Sequence, residues 1–333
     1  MPVSVPLSIL DLVRFDPATE GPAEAIARSV RLAQTADGLG YRRLWFAEHH
    51  NAASIASSAT SVLIEHVASQ TERIRVGAGG IMLPNHSPLV IAEQFGMLES
   101  LHPGRIDLGL GRAPGTDQTT VRALRRTGRE SDRFPEDVVE LHGFLSDESP
   151  TPGVAAHPGQ GTKVPLYILG SSLFGARLAA QLGLPYSFAS HFAPAMLHQA
   201  AQEYRADFDP QGPLAPPNAT PWFIAAANVI VSDDEADAAE QRRLAEDAWL
   251  RDFLGRGGST PSDEDLRAAR QHPQGQQLLS MLDCTFSGTQ SQVERGLDGF
   301  ADQVQADELI LVNMAVGEER KRRTLDLLAP APR

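Results

Sequence analysis

Three titratable side chains stand in a row directly after a short apolar segment. Residues 44–47 are Leu-Trp-Phe-Ala, and Glu48, His49, His50 and Asn51 follow. A carboxylate beside imidazoles can move protons near neutral pH, because histidine titrates in that range. Histidines also bind metals, but this pair lacks the i, i+4 spacing of a helical zinc site, so we expect no metal. Glu48, His49 and His50 are therefore candidate catalytic residues.

The rest of the chain supplies elements that would place this cluster at the end of a strand. Apolar segments alternate with amphipathic helical segments in units of roughly 30 residues, as in a βα repeat. The candidate strands are residues 7–13, 43–47, 73–79, 104–110, 165–169, 186–189, 223–231 and 308–312. Eight such units predict an α/β fold, a (β/α)8 TIM barrel with catalytic residues at the C-terminal ends of the strands. The competing doubly wound sheet requires a glycine-rich phosphate turn after the first strand, and none is there.

Two long segments interrupt this alternation, and we expect both to be insertions in one domain that spans residues 1–333. After the fourth strand, residues 116–147 are charged and helical in pattern, and a loop rich in proline and glycine follows. After the seventh strand, residues 254–284 are polar and contain Gly255, Gly257 and Gly258. The length and glycines of this second insertion predict a mobile lid over the site.

Small and polar residues also end three other strands. Gly79 and Gly80 would let a flat ligand approach the backbone, or would form a bulge that curves the barrel. Arg112 follows the fourth strand and would bind an anion or form an exposed ion pair. Ser171 and Ser172 follow the fifth strand at a helix start, which is an anion site or a plain N-cap. In a barrel Arg112 and the two serines converge, which favours a phosphate between them.

Composition narrows the expected partners. The chain of 333 residues has a formal net charge of −13, which disfavours nucleic acid and favours small molecules or protein partners. The single cysteine, Cys284, excludes an internal disulfide framework and fits a reducing compartment. No apolar run is long enough to span a bilayer and no signal peptide is recognisable, so we expect a cytoplasmic protein without membrane contact.

Several motifs, in order along the chain, resemble those of one known family. They are residues 45–50 (Trp-Phe-Ala-Glu-His-His), 75–84, 103–112 and 170–185. The family is that of the bacterial luciferase-like flavin monooxygenases. Segments 55–58, 82–88 and 111–117 are similar to a bacterial subgroup of unassigned substrate. The resemblance covers about residues 5–330, and the motifs are specific jointly rather than singly.

The resemblance implies a barrel that binds FMN at its C-terminal face. It implies that His49 supports chemistry at the flavin and that a non-proline cis peptide, here Gly79–Gly80, lies beneath the flavin ring. Arg112 matches the family's phosphate-binding arginine. The matching phosphate loop is Gly170, Ser171, Ser172 and Gly175.

The chain departs from the family pattern at two places. Gly111 stands where luciferases carry a reactive cysteine, and Ser171 and Gly175 replace a glutamate and a threonine of the phosphate loop. Light emission is therefore not implied, and backbone contacts would have to hold more of the phosphate.

The resemblance also implies partners. A separate flavin reductase would supply reduced FMN, and the enzyme would use O2 to oxidise a small organic substrate such as an aldehyde. Members of the family often form homodimers through barrel helices, with Leu63, Ile64 and Val67 as candidate contact residues here. Two alternatives remain open: a dehydrogenase dependent on the deazaflavin F420 on the same fold, and a flavin-binding protein without turnover.

Overall fold

The computed structural model describes residues 2–113, 115–255 and 261–331, in which helices surround a parallel β-barrel. The strands are β1 (Leu7–Asp11), β2 (Arg43–Phe46), β3 (Arg75–Met82), β4 (Ile106–Gly111), β5 (Leu166–Gly170), β6 (Tyr186–Phe188), β7 (Phe223–Val231), β8 (Thr285–Gly288) and β9 (Glu308–Asn313). The helices are α1 (Pro22–Leu39), α2 (Thr60–Ala68), α3 (Pro88–Leu101), α4 (Gln118–Ala123), α5 (Phe134–Leu145), α6 (Leu173–Leu182), α7 (Leu197–Ala206), α8 (Glu235–Leu254), α9 (Asp263–Gln271), α10 (Pro273–Ser280), α11 (Gln290–Val304) and α12 (Glu318–Leu327).

Eight of these strands close the barrel. Strands β1 to β7 pair in chain order, β7 also pairs with β9, and β9 pairs with β1. All of these pairings are parallel, so the C-terminal ends of the eight strands meet at one mouth. The predicted TIM barrel is confirmed, and the predicted eighth strand is β9.

Strand β8 lies outside the barrel and was not predicted. Asn228 and Val229 of β7 pair with β9 on one edge and with β8 on the other. Because β6 pairs with β7 only as far as Ala225, it leaves this edge free for β8. Four residues that do not alternate clearly are too weak a pattern to identify a strand.

The insertion after β7 is largely helical in the described residues. Helix α9 begins with a capping box, in which Ser262 and Asp265 bond to each other's backbone N–H groups. Helix α10 follows after one residue, because Pro273 at its first position starts a new helix. The predicted mobility of residues 254–284 stays a prediction, and residues 256–260 of that segment lie outside the described residues.

The C-terminal ends of β1 and β3 differ most from the predicted strand ends, each for a local reason. Strand β1 ends at Asp11, because the Asp11 carboxylate accepts a hydrogen bond of 2.7 Å from the Val13 N–H and Val13 turns to a φ of 49°. Strand β3 continues to Met82, because the register with β4 shifts between Ala78 and Ile81 and pairing resumes beyond the shift. Both changes lie at the mouth, where the chain departs from regular pairing.

Apolar side chains form two layers. The inner layer fills the barrel and contains Leu10, Trp45, Ala47, Tyr167, Ile224, Ala226 and Ile310. The outer layer lies between strands and helices and includes Leu63, Ile64 and Val67, which are 5%, 0% and 0% exposed. The expectation that these three residues contact a second copy is therefore wrong, because they belong to the core of their own chain.

A buried ionic network closes the N-terminal end of the barrel. The Arg43 guanidinium donates to Glu308 (Nε to Oε1, 2.7 Å) and to Asp107 (Nη1 to Oδ2, 2.7 Å), and all three side chains are at most 1% exposed. Nη2 of Arg75 donates to the other carboxylate oxygen of Asp107, Oδ1, at 2.6 Å. Burial opposes the charge on Arg43, but the two carboxylates outweigh it and raise its pKa above the ordinary value. The network was not predicted from the sequence.

Candidate active site

Glu48 is the centre of a hydrogen-bonded cluster at the mouth. Its side chain is 1% exposed, and its carboxylate accepts a hydrogen bond from Nε2 of His50 at 2.7 Å and from Nε2 of His86 at 2.9 Å. The backbone N–H of Met82 donates to Oε2 at 3.1 Å. Glu48 itself donates its N–H to the Gly80 carbonyl at 3.3 Å. This one residue therefore joins the end of β2 to the C-terminal part of β3.

The hydrogen bonds set the charge states in this cluster. Burial would raise the pKa of Glu48, but the bonds from His50 and His86 outweigh it and lower that pKa to about 2. The same bond raises the pKa of His50. Glu48 is thus a carboxylate at neutral pH, and its two partners are held in fixed orientations.

His49 points away from this cluster and lacks a comparable partner. Its Nδ1 is buried and makes no hydrogen bond of normal geometry among the described residues. Burial lowers the pKa of His49, the Ala47 carbonyl partly offsets this, and the charge of Arg14 lowers it further. Glu48 and His50 affect His49 only through their charges. His49 is therefore a neutral imidazole with unused hydrogen-bonding capacity at the mouth.

Gly79 and Gly80 form a narrow part of the mouth. The Gly79–Gly80 peptide bond is cis, as the family resemblance implies. A Cβ on Gly79 would lie 2.8 Å from Leu10 Cδ1 and 2.9 Å from Trp45 Cβ, and one on Gly80 would lie 2.8 Å from the Gly109 carbonyl oxygen. Side chains are excluded at both positions, so the backbone itself forms this wall of the site.

Arg112 meets the start of α6, where the sequence predicts a phosphate. Its guanidinium lies over the ring of Phe174, 4.1 Å from the ring centroid, and it makes no ion pair within the part of the chain described. Ser172 is the N-cap residue of α6 but makes no side-chain cap bond, and the first turn of this helix contains no acidic residue. Ser171 and Ser172 are both exposed. The Arg112 guanidinium, two exposed serines and the N-terminus of α6 thus lie at one corner of the mouth.

Tyr186 holds the loop between β5 and α6 in place. Its hydroxyl donates to the Ser172 carbonyl at 3.0 Å. A Cβ on Gly175 would lie 3.1 Å from the Tyr186 ring, and one on Gly170 would lie 3.3 Å from its hydroxyl. The ring of Tyr186 thus occupies the space that a side chain at Gly175 would need, which gives a physical reason for glycine in place of the family's threonine.

Met82 gives a similar reason for Gly111. A Cβ on Gly111 would lie 3.0 Å from the Met82 sulfur. A cysteine at this position would require Met82 to move, so the departure from the luciferase pattern is built into the packing of β3 against β4.

Sequence reasoning missed two histidines at the mouth. His86 follows the short 3-10 turn Leu83–Asn85 and reaches back to Glu48, a contact that no spacing rule predicts. His191 lies three residues beyond the end of β6, and the rule that drew attention to the other strand ends would have found it. Its Nδ1 is buried without a hydrogen-bond partner.

Ligand atoms of Glu48, His50 and His86 all lie within 4.8 Å of one another, close enough to share a metal ion. Both histidines, however, already use Nε2 to bond the Glu48 carboxylate. A metal would have to replace these bonds, so the absence of a metal stays our prediction.

Residues 5–319 match the family model of the luciferase-like monooxygenases. The chain belongs to this family. It is 45% identical to a luciferase-like monooxygenase of Escherichia coli strain K12, over 96% of this chain and 94% of that protein. It is 32% identical to the N-acetyl-S-alkylcysteine monooxygenase of Bacillus subtilis strain 168, over 98% and 97% of the two chains.

Solved structures agree with this assignment. The crystal structure of apo-MsnO8 superposes with a TM-score of 0.85 at 32% identity and covers 99% of both chains. Two more distant structures show the fold alone. They are the oxygenating constituent of 3,6-diketocamphane monooxygenase in complex with FMN (TM-score 0.73, 15% identity) and an F420-dependent secondary alcohol dehydrogenase (TM-score 0.66, 14% identity). Among the described residues no helix is long and apolar enough to cross a membrane.

Proposed function

We propose that this chain is the oxygenase of a two-component monooxygenase that uses reduced FMN and O2. The observation that carries the proposal is the corner formed by Arg112 and the start of α6, which offers a phosphate a guanidinium, two serines and helix N–H groups. Among the described residues, Arg112 makes no ion pair and the first turn of α6 has no acidic residue. One distant structure of this fold contains FMN and another is F420-dependent, so the fold is compatible with a flavin-type cofactor and the phosphate corner is what we use to propose FMN.

The residues at the mouth fit the rest of that cofactor. Gly170, Ser171, Ser172 and Gly175 would hold the phosphate together with Arg112. The wall formed by Gly79 and Gly80 is bare backbone, which a flat ring can approach closely. When bound, reduced FMN would supply the electrons that activate O2 for insertion into the substrate.

The chain's own contribution is binding, orientation and proton transfer. In this proposal Nδ1 of His49 exchanges a proton or a hydrogen bond with the reacting group, since it is neutral and has no other partner of normal geometry. Among the described residues, the side chains of Glu48 and His50 make no hydrogen bond to His49 and act on it only through their charges. They fix the end of β2 relative to β3, so that His49 is presented in one orientation.

The test is reconstitution with a flavin reductase, NADH, FMN and a panel of small organic substrates that includes aldehydes and thioethers. We expect oxygen uptake coupled to one oxygenated product for at least one class. Substrate oxidation without oxygen, dependent on F420, would replace the proposal with a dehydrogenase. Tight FMN binding with no product from any class would favour a flavin-binding protein without turnover.

We also propose a homodimer that uses the outer faces of α2 and α3. Val62 is 69% exposed, Val90 43%, Met97 48% and Leu101 54%, so an apolar surface faces outward beside the buried residues named above. One chain has a mass of 35.9 kDa, and light scattering should give twice this mass. Met97→Glu should shift the mass towards that of the monomer. A monomeric wild type at micromolar concentration would contradict this proposal.

A further inference from the structure

His191 lies on the opposite side of the mouth from His49. In the closed barrel β2 and β6 are four strands apart in either direction, so residues that follow them face each other across the axis. A ligand bound over the axis would therefore lie between the two imidazoles.

The loop that carries His191 is held firmly. The Asn228 side chain of β7 donates to the His191 carbonyl at 2.6 Å and to the Thr285 hydroxyl at 3.2 Å. The Ser190 hydroxyl donates to the Ala226 carbonyl at 2.5 Å. The Phe192 ring lies edge-on to the imidazole, with 4.8 Å between the ring centroids. The position of His191 is therefore fixed before any ligand binds.

The ring nitrogens of His191 have no hydrogen-bonding role in the described part of the protein. Its Nδ1 is buried, and no hydrogen bond to either ring nitrogen is found within residues 2–113, 115–255 and 261–331. Burial lowers the pKa of His191 to about 3, and the charge of Arg14 acts in the same direction. A buried polar group without a partner costs free energy, so a fixed, neutral and unpaired imidazole is costly unless a ligand completes it.

We propose that His191 is a second ligand-contacting residue, which together with His49 forms a pair of neutral imidazoles that hydrogen-bond one bound molecule from opposite sides. The proposal rests on the proposed function for the location of the ligand. The molecule would be the flavin cofactor, through a polar group of its ring, or the substrate lying on that ring. A neutral imidazole suits either source, because it can donate and accept without bringing a charge.

The experiment follows the His191 ring directly. In the full chain labelled with 15N-histidine, the signals of its ring nitrogens are identified by their loss in His191→Phe, among those of the ten histidines. FMN, oxidised and then reduced under anaerobic conditions, is added first, and decanal is added to the FMN complex second. A shift of the His191 signals on adding FMN identifies the cofactor as the source of the contact, and a shift only on adding decanal identifies the substrate. Signals that move with neither molecule overturn the proposal.

Affinity gives an independent readout. If the cofactor is the source, His191→Phe should weaken FMN binding roughly five- to tenfold, the loss expected for one hydrogen bond, and His191→Gln should restore part of it. His198→Phe, at an exposed position on α7, is the matched control and should bind FMN like the wild type. Unchanged affinity in His191→Phe together with unmoved signals overturns the proposal. A wild type that fails to bind FMN contradicts the proposed function instead, and the same titration with F420 then tests His191.

Discussion

The two ends of the barrel both contain buried polar side chains, but these are hydrogen-bonded to one another at the N-terminal end and partly without partners among the described residues at the mouth. At the N-terminal end, Arg43, Asp107 and Glu308 are buried and bond to one another, and other side chains use their remaining oxygens. At the mouth, within the described part of the chain, His49 and His191 each keep a buried nitrogen without a hydrogen-bond partner, and Arg112 lies over an aromatic ring without an ion pair. The closed end stabilises the fold, whereas the open end retains the capacity to bind a ligand.

Within the mouth, Glu48 and its neighbour His49 show the same contrast between a hydrogen-bonded and an unpartnered side chain. It is fully bonded, as Asp107 is at the other end, yet it lies next to His49, which is not. We infer that Glu48 belongs to the structural part of the site and His49 to the reacting part. Variants of the two groups should therefore differ in whether they lose turnover or stability.

His49→Ala should lower product formation by about 10²–10⁴-fold, the range for losing a proton-transferring group. Thermal stability should change little, because the imidazole makes no hydrogen bond of normal geometry among the described residues. The measurement is steady-state turnover with reductase-supplied FMN, beside an FMN titration and a melting curve. His198→Ala is the control, and full activity of His49→Ala would exclude His49 from the chemistry.

Arg43→Met should lower stability and leave FMN affinity unchanged. Removing one partner of a buried ion pair leaves unpaired carboxylates, so we expect a loss of about 3–5 kcal/mol in the free energy of unfolding. Urea unfolding measures it, and Arg323→Met serves as the control, because Arg323 pairs with Asp233 in solvent and should have no measurable effect. If the variant does fold, its FMN affinity should equal that of the wild type. Equal stability of the two arginine variants would mean that the closed end does not stabilise the fold.

Glu48→Gln should destabilise the protein by about 1–3 kcal/mol at pH 7, since His50 and His86 lose a charged acceptor. The pKa of Glu48 in the folded chain is lowered to about 2, from an ordinary value of 4.5. The stabilisation is therefore complete above pH 4.5 and is lost as the pH falls from there through 2. Urea unfolding from pH 7 to pH 3 should show the two proteins converging at acid pH. A difference that stays constant across this range would contradict the assigned charge state.

Sequence patterns predicted the alternating strands and helices of the barrel. Strands such as β7, buried throughout and apolar except at Asn228, and helices that begin with proline, such as α1 and α3, carry signals in consecutive residues. The rule that catalytic residues follow barrel strands directed attention to His49 and Arg112, and the structure places both at the mouth. The family resemblance added the cis bond at Gly79–Gly80, which no local pattern implies.

What the sequence did not predict depends on contacts between distant residues. The partners of Glu48 lie two and 38 positions along the chain, and only the turn after β3 brings the second one back. The network around Arg43 spans residues 8 to 308 and exists only once the barrel is closed. The helical surface of α2 could not be divided into core and exterior, because Val62 and Leu63 are both apolar.

If the open corner at the mouth holds a phosphate, the protein should prefer FMN to riboflavin, which lacks the phosphate. The measurement compares the affinities for the two flavins in the wild type, Arg112→Met and the surface control Arg122→Met. We predict that the wild type and the control bind FMN at least about tenfold more tightly than riboflavin, and that this preference disappears in Arg112→Met. Equal affinities for FMN and riboflavin in the wild type would contradict the claim.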